Sequence, residues 1–192
     1  MDVKEAIEKR RAYRGLASAE MTDGLISELA GAARLMPSCF NNQPWKFVFA
    51  RSNEALGGLR AALSKNNDWA KKAPLIAAAF AKKDHDCVIK EREYYLFDLG
   101  MSVAALVLRA TELGLVAHPI AGFDPAAVRK ALGIPEDCMV ITLVIIGKKS
   151  DDLSALTPQQ AAGEQARPPR LAPENIYAVD AYNDKLAAKQ EH

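Results

Sequence analysis

The sequence predicts an α+β fold, and three observations carry that reading. Two apolar runs, Pro74 to Ala81 and Met139 to Ile146, have the length and the small or branched residues of buried strands. Trp45 to Ala50 alternates and is aromatic enough for a further strand. Around them lie helical patterns with start and stop signals: Asp2 with Glu5 three residues on, Thr22 ahead of an apolar stripe, and Asp124-Pro125 closed by Gly133.

Taken in order, Asp2 caps a first helix in which Val3 and Ile7 share a face, and its C-terminal end delivers Arg10 and Arg11. Thr22 opens a second helix lined by Leu25, Ile26, Leu29, Ala30 and Ala33 and ended by Pro37. A polar loop, Pro37-Ser38-Cys39-Phe40-Asn41-Asn42-Gln43-Pro44-Trp45, leads into the strand at Trp45. From Phe97 to Leu113 apolar residues fall on nearly every side of a helix, which predicts burial all round. One core in a chain of 192 residues can hardly cover every face, so a subunit interface is expected there. Val128 and Leu132 mark the apolar side of the helix after Asp124, and Met139 to Ile146 forms a central strand. Beyond Gly147 the composition turns charged and rich in Gln, Ala and Pro through residue 173. We divide the chain into a domain over 1–150 and an extension over 151–192 that crosses a surface.

Hydrophobic residues make up 49% of the chain and the formal net charge is +1, which fits a globular protein and removes the bulk electrostatic argument for nucleic acid. Any anion site must be local. Cys39, Cys87 and Cys138 are odd in number, widely spaced and free of a Cys-x-x-Cys pattern, so free thiols in a reducing cytoplasm are expected. Cys39 itself reads as a small buried thiol. Met1 to Glu5 lacks the apolar core of a signal peptide. No metal is expected, because His85, His118 and His192 pair neither with the cysteines nor with each other at ligand spacing. Met101 to Ala110, the longest apolar stretch, falls short of the about 20 residues that span a bilayer, so no membrane role follows.

Two segments point to chemistry. Arg10, Arg11 and Arg14 place three guanidinium groups within five residues, and guanidinium binds phosphate in bidentate fashion with a charge that does not titrate away. The same residues also suit a solvated helix end, where arginine complements the dipole. In the polar loop, Ser38, Asn41, Asn42 and Gln43 offer donors and acceptors between prolines that fix the backbone. A planar heteroaromatic ring with a carbonyl edge needs such a mixture, and so does an ordinary helix-to-strand turn.

In order and spacing the pair resembles the FMN-dependent nitroreductase family, where an Arg-Arg-Ser-x-Arg-like run precedes a Pro-Ser-x-x-Asn-x-Gln-Pro-Trp loop. The resemblance continues through Leu113-Gly114-Leu115, Pro119-Ile120-Ala121-Gly122-Phe123-Asp124, Leu132-Gly133-Ile134-Pro135-Glu136 and Arg167-Pro168-Pro169-Arg170. It implies a central, mostly antiparallel sheet flanked by helices, with the long apolar helix at a homodimer interface holding two FMN sites. It implies that Arg10, Arg11, Ala12 and Arg14 hold the ribityl phosphate and pyrimidine edge. Pro37, Ser38, Cys39, Asn41 and Gln43 would reach the flavin bound mainly by the partner subunit. Pro119, Ile120, Ala121 and Gly122 would lie against the ring, with the Ala121 N–H near N5. Asn66 falls near a polar contact to the pyrimidine, although a lysine common in the family a turn later is replaced by Trp69. Arg167 and Arg170 match a basic element closing on the phosphate.

No side-chain acid or nucleophile is implied; the flavin N5 carries hydride, with Arg14 and the Ala121 N–H as electrostatic support. NADH or NADPH would reduce the flavin and a small electron acceptor, such as a nitroaromatic or quinone, would take the same place. Other readings of the same residues are a dehalogenase, an enone reductase or a flavin-fragmenting enzyme. A non-catalytic flavin-binding or storage protein and a cofactor-free dimerisation module also stand open.

Overall fold

Two apolar runs whose side chains point alternately to opposite faces build the centre of the molecule. The computed structural model describes residues 1–190. β3 (Leu75–Ala81) and β7 (Met139–Lys149) pair antiparallel from Leu75↔Ile146 to Ala81↔Met139, and β2 (Lys46–Ala50) pairs antiparallel on the far side of β3. The other flank of β7 takes β6 (Val116–Ile120) and, at its last residues, β1 (Leu16–Ala17), both antiparallel. Leu75, Ala77, Ala79 and Ala81 join Val144 and Ile146 in one core, while Ile76 and Ala78 join Leu143 and Ile145 in another. Each strand thus feeds two hydrophobic layers, which is why both runs read as continuously apolar.

Helices close both layers. α2 (Asp23–Arg34) and α4 (Tyr94–Glu112) bring Leu29, Ala33, Leu99, Val103 and Leu106 to the first, and the buried Ser102 hydroxyl donates to the Ala33 carbonyl at 2.9 Å. α3 (Asn53–Ala62) and α5 (Pro125–Leu132) bring Leu56, Leu59 and Val128 to the second. The alanines of β3 leave room for these helices to approach. α1 (Val3–Lys9) starts in the capping box of Asp2 and Glu5, Thr22 and Asp124 cap as anticipated, and Gly133 ends α5 with φ 66°.

Several boundaries differ. α2 stops at Arg34, before Pro37, and β7 continues past Gly147 to Lys149. α4 begins at Tyr94, and its own chain leaves Leu96 and Phe97 exposed, so it is not buried all round. Val3 and Ile7 are exposed as well. The extension contains α6 (Pro158–Gln165), announced by a Thr157–Gln160 capping box with proline at the first turn. A hairpin of β4 (Val88–Ile89) and β5 (Arg92–Glu93) precedes α4.

α6 folds back onto the N-terminal run. The buried Glu164 carboxylate accepts from the Arg14 N–H at 3.0 Å and the Gly15 N–H at 3.3 Å. Arg11 Nη2 donates to the carbonyls of Gly163 and Ala166 at 3.0 and 2.7 Å. Gly15 has to be glycine, since a Cβ there would stand 2.8 Å from both Leu153 Cδ2 and the Ser150 carbonyl. No helix among the described residues is long and apolar enough to cross a membrane.

His118, inside β6, ties this run to the sheet. Its Nδ1–H donates to the Tyr13 carbonyl at 3.1 Å, and its ring packs on the buried Trp69 with centroids 4.8 Å apart. Burial, followed by the charges of Arg14 and Arg10, holds its pKa down to about 4, against the upward pull of that hydrogen bond. The unfolded chain protonates this histidine near its ordinary 6.5, whereas the folded chain waits until about 4. Its contribution is therefore complete above pH 6.5 and declines as the pH falls through that interval. We expect a loss of roughly 2–3 kcal/mol between pH 7 and pH 4.5 from this group. Urea melts of wild type and His118→Gln should show a flatter acid limb in the variant, whose amide can still donate to Tyr13.

Candidate functional site

Arg10 caps the C-terminal end of α1 with extended backbone (φ −55°, ψ 124°), so the following residues leave the helix as an open strand of cations. Arg11 turns to one side, its guanidinium 4.6 Å above the Tyr13 ring. Arg10, Arg11, Ala12 and Arg14 meet Gly163, Arg167, Pro168 and Arg170 around one cavity of about 170 Å³. Five arginines from two ends of the chain converge there.

Their roles differ. Arg11 is committed to the α6 carbonyls, and Arg167 Nη2 donates to the main-chain oxygens of Arg10, at 2.7 Å, and Glu8. Among the described residues Arg170 donates only to the nearby Pro168 carbonyl, at 3.3 Å. The Arg10 pKa lies below its ordinary value, first through burial and then through Arg167 and Arg170. Cations crowded and partly desolvated in this way gain most from an anion placed among them.

The polar loop is a second, separate half. Phe40, Asn41 and Gln43 hold left-handed backbones with φ of 47°, 59° and 49°, a region that asparagine enters readily but that costs phenylalanine and glutamine more. Here the Ser38 hydroxyl accepts from the Gln43 N–H at 2.9 Å, and the Gln43 carbonyl accepts from Lys46 Nζ at 3.0 Å. The Cys39 N–H donates at 2.8 Å to Asp98, a carboxylate buried on α4. Burial pushes the Asp98 pKa up, the Cys39 hydrogen bond pulls it down, and the neighbouring Asp86 adds to the rise. Pro37 and Asn41 are exposed, and Phe40 is 88% exposed. No residue of this loop lines the arginine cavity.

Cys39 corrects the expectation of three free thiols, and of a buried thiol at that position. It is bonded to Cys87 across 48 residues, with Cα atoms 6.1 Å apart, and among the described residues Cys138 is the free cysteine. Spacing along the sequence gave no sign of the pair, because the segment before β4 reaches the loop only in three dimensions. Cys39, Cys87 and Asp86 form one grouping of potential metal-ligand atoms, but its sulfurs are joined to each other.

Pro119 and Ile120 belong to β6 rather than to a turn, with Ile120 buried and Ala121 exposed just past the strand. Gly122 is needed for close approach: a Cβ there would stand 2.5 Å from both Asn67 Nδ2 and Ser64 Oγ. Its carbonyl accepts from the Ser64 N–H and from Asn67 Nδ2, each at 3.0 Å. Asn67, which the sequence had not singled out, is thus the residue bonded to this turn. Asn66 is exposed, and its carbonyl accepts from Gln160 Nε2 at 3.0 Å. Trp69 belongs to the core, donating to Asn67 Oδ1 at 3.3 Å. Glu164 and Asp98 also escaped sequence reading, since a lone acidic residue in a helix carries no local sign of burial.

Comparison with known proteins agrees with this architecture. The Nitroreductase family model matches residues 7–148. The chain is 27% identical over 183 residues to an NADH dehydrogenase of Thermus thermophilus, covering 79% of this chain and 89% of the relative. Its fold superposes on an oxidoreductase containing FMN with a TM-score of 0.81 at 24% identity, covering 95% of this chain and 94% of the other. A nitroreductase family protein of Clostridium difficile gives 0.76 at 21% identity, covering 95% and 100%. The chain belongs to the nitroreductase family of oxidoreductases.

Proposed function

We propose that the arginine cavity receives the phosphate of FMN and that the protein passes hydride from NADH or NADPH to a small acceptor, a nitroaromatic or a quinone. The observation that carries this reading is the convergence of Arg10, Arg11 and Arg14 with Arg167 and Arg170 around one cavity. Its about 170 Å³ suits a phosphate end rather than a whole tricyclic ring. The FMN named for one structural relative and the NADH named for the Thermus thermophilus relative support the choice of cofactor and reductant.

Bound flavin would supply two-electron chemistry at N5, and the chain would supply binding, charge and access. Arg10 and Arg170, least committed to internal carbonyls, would grip the phosphate, with Arg11 and Arg167 bracing the frame. Arg14 would set positive charge beside the pyrimidine edge, where it stabilises negative charge without solvent reorganisation. Ala121 would offer a main-chain N–H and Gly122 a close-packed backbone. Pro37, Ser38, Cys39, Asn41 and Gln43 would complete the site of a partner subunit, since they lie apart from the cavity of their own chain.

A homodimer with two interfacial sites follows. Leu96 and Phe97 on α4, with Ile176, Tyr177 and Val179 of the extension, are large apolar side chains exposed on the single chain. Residues 151–192 would pack in part on the partner, and the reducing cytoplasm suits the nicotinamide donor.

Anaerobic titration of the FMN-loaded protein should bleach the flavin absorption with NADH or NADPH and restore it with a nitroaromatic or quinone. Flavin bound but never reduced would establish the storage reading, and protein unable to take up FMN would sink the proposal. Arg10→Ala and Arg170→Ala should each weaken FMN retention by about 1.5–3 kcal/mol, measured by equilibrium dialysis. Unchanged retention in both would reject those assignments. Sedimentation equilibrium should give a dimer, and Phe97→Asp should shift it towards monomer while lowering FMN retention.

A further inference from the structure

The Cys39–Cys87 bond joins two segments that have different environments. Cys39 sits in the Pro37–Trp45 loop, directly before left-handed Phe40 and Asn41. Cys87 precedes the β4–β5 hairpin, where Val88 and Ile89 are exposed, and both bonded cysteines are only half-buried. A second link runs parallel to the bond: Asn42 Nδ2 donates to Asp86 Oδ1 at 3.2 Å and approaches Cys87 Sγ at 3.6 Å.

Asp86 makes the junction chemically unusual. A carboxylate oxygen of Asp86 and the two sulfurs lie within 4.8 Å of one another. Asp86 Oδ2 is buried and, among the described residues, has no donor beside it other than the neighbouring Asp98 carboxyl, which can serve when protonated. Buried acceptors ordinarily find a donor, and a disulfide cannot supply one. Opened cysteines could, because a thiol S–H beside a carboxylate is a donor. In the bonded state, among the described residues, Asp86 has only the Asp98 carboxyl and Asn42 beside it as donors, and the reduced state adds thiol donors.

We propose that Cys39–Cys87 is a reversible thiol–disulfide site for small dithiols, and that its state sets the shape of the Pro37–Trp45 loop. A reductant thiolate attacks the Cys87 sulfur, the disulfide breaks, and Cys39 leaves as a thiolate that takes a proton. The second reductant thiol displaces Cys87 from the mixed disulfide and the reductant departs as its own cyclic disulfide. Two electrons and two protons pass to the cysteines, and an oxidised dithiol reverses the sequence. With the cross-link gone, Phe40, Asn41 and Gln43 lose a constraint that keeps them in the left-handed region, and the loop samples ordinary backbone. Ser38, Asn41 and Gln43 then lose their fixed positions. The consequence for flavin binding rests on the function proposed above, whereas the loop transition does not.

The test uses the full chain equilibrated with oxidised or reduced dithiothreitol. Iodoacetamide should label Cys39 and Cys87 only after reduction, with Cys138 labelling alike in both states. Amide exchange over residues 37–45 should speed up roughly tenfold on reduction, and the FMN dissociation constant should rise by a similar factor. Cys87→Ser should behave as the reduced protein in either buffer, and chemical reduction of wild type gives the same comparison should that variant fold poorly. Labelling of both cysteines after oxidised dithiothreitol would overturn the site. Loop exchange indifferent to reduction would overturn the switch, and equal FMN affinity in both states with a changed loop would overturn its coupling to flavin. Faster loop exchange in a protein that binds no FMN in either state would support the switch while defeating the flavin reading.

Discussion

The register of β7 is the constraint on which the rest of the structure depends. It pairs with β3, β6 and β1, so its hydrogen bonds settle both hydrophobic layers at once. A slip of one residue would turn Val144 and Ile146 towards the layer now occupied by Leu143 and Ile145 and so set β7 out of phase with β3. The same register locates the site. Pairing of Leu16 with Lys149 anchors the exit of the arginine run, and pairing of Ile120 with Leu143 fixes where β6 gives way to Ala121 and Gly122. The Ser150 N–H, donating to the Gly15 carbonyl at 2.9 Å, carries that alignment one step beyond the strand.

On this frame the cationic cluster has two kinds of member. Glu164 and the carbonyls of Gly163 and Ala166 neutralise or engage groups at the rear of the run, whereas Arg10 faces Arg167 and Arg170 with its pKa already depressed by burial. His118 shows the same positive field from behind, since Arg14 and Arg10 help to keep it neutral. A histidine next to a prospective anion site would ordinarily be read as a proton donor. Here its Nδ1–H is spent on Tyr13 and its ring on Trp69, so its role is to position the backbone that carries the arginines.

Much of this was legible in the sequence wherever the signal is local. The caps at Asp2, Thr22 and Asp124, the stop at Gly133, and the apolar runs of β3 and β7 depend on neighbours within a few residues, and each stands where those neighbours put it. The arginine run and the Arg167–Arg170 element could be named, and the cavity joins them. What escaped depends on contacts distant in sequence. Cys87 meets Cys39 across 48 residues, Glu164 finds Arg14 and Gly15 through the return of α6, and Asn67 rather than Asn66 faces Gly122 because of a turn in irregular backbone. β6 escaped for another reason: His118 and Pro119 break the apolar alternation by which a strand is recognised. α6 had its capping signal in Thr157 and Gln160, but its weak apolar face hid it within a polar tail.

The docking of α6 also determines what kind of anion the proposed site could take. Arg10, Arg11 and Arg14 alone form an open edge, and the cavity exists only when Gly163, Arg167 and Arg170 are brought over it. Two hydrogen bonds to Glu164 and two from Arg11 hold that arrangement, each with one partner on the N-terminal run and one on the extension. Bringing Arg167 and Arg170 beside Arg10 is electrostatically unfavourable, and the hydrogen bonds to Glu164 and from Arg11 hold the extension in place against that repulsion. An anion in the cavity removes the same repulsion. Were an anion to bind there as proposed, docking of the extension and binding of the anion would be two sides of one equilibrium, and by linkage each would strengthen the other to the same extent. A phosphate would serve as part of the fold as well as a handle for whatever is attached to it.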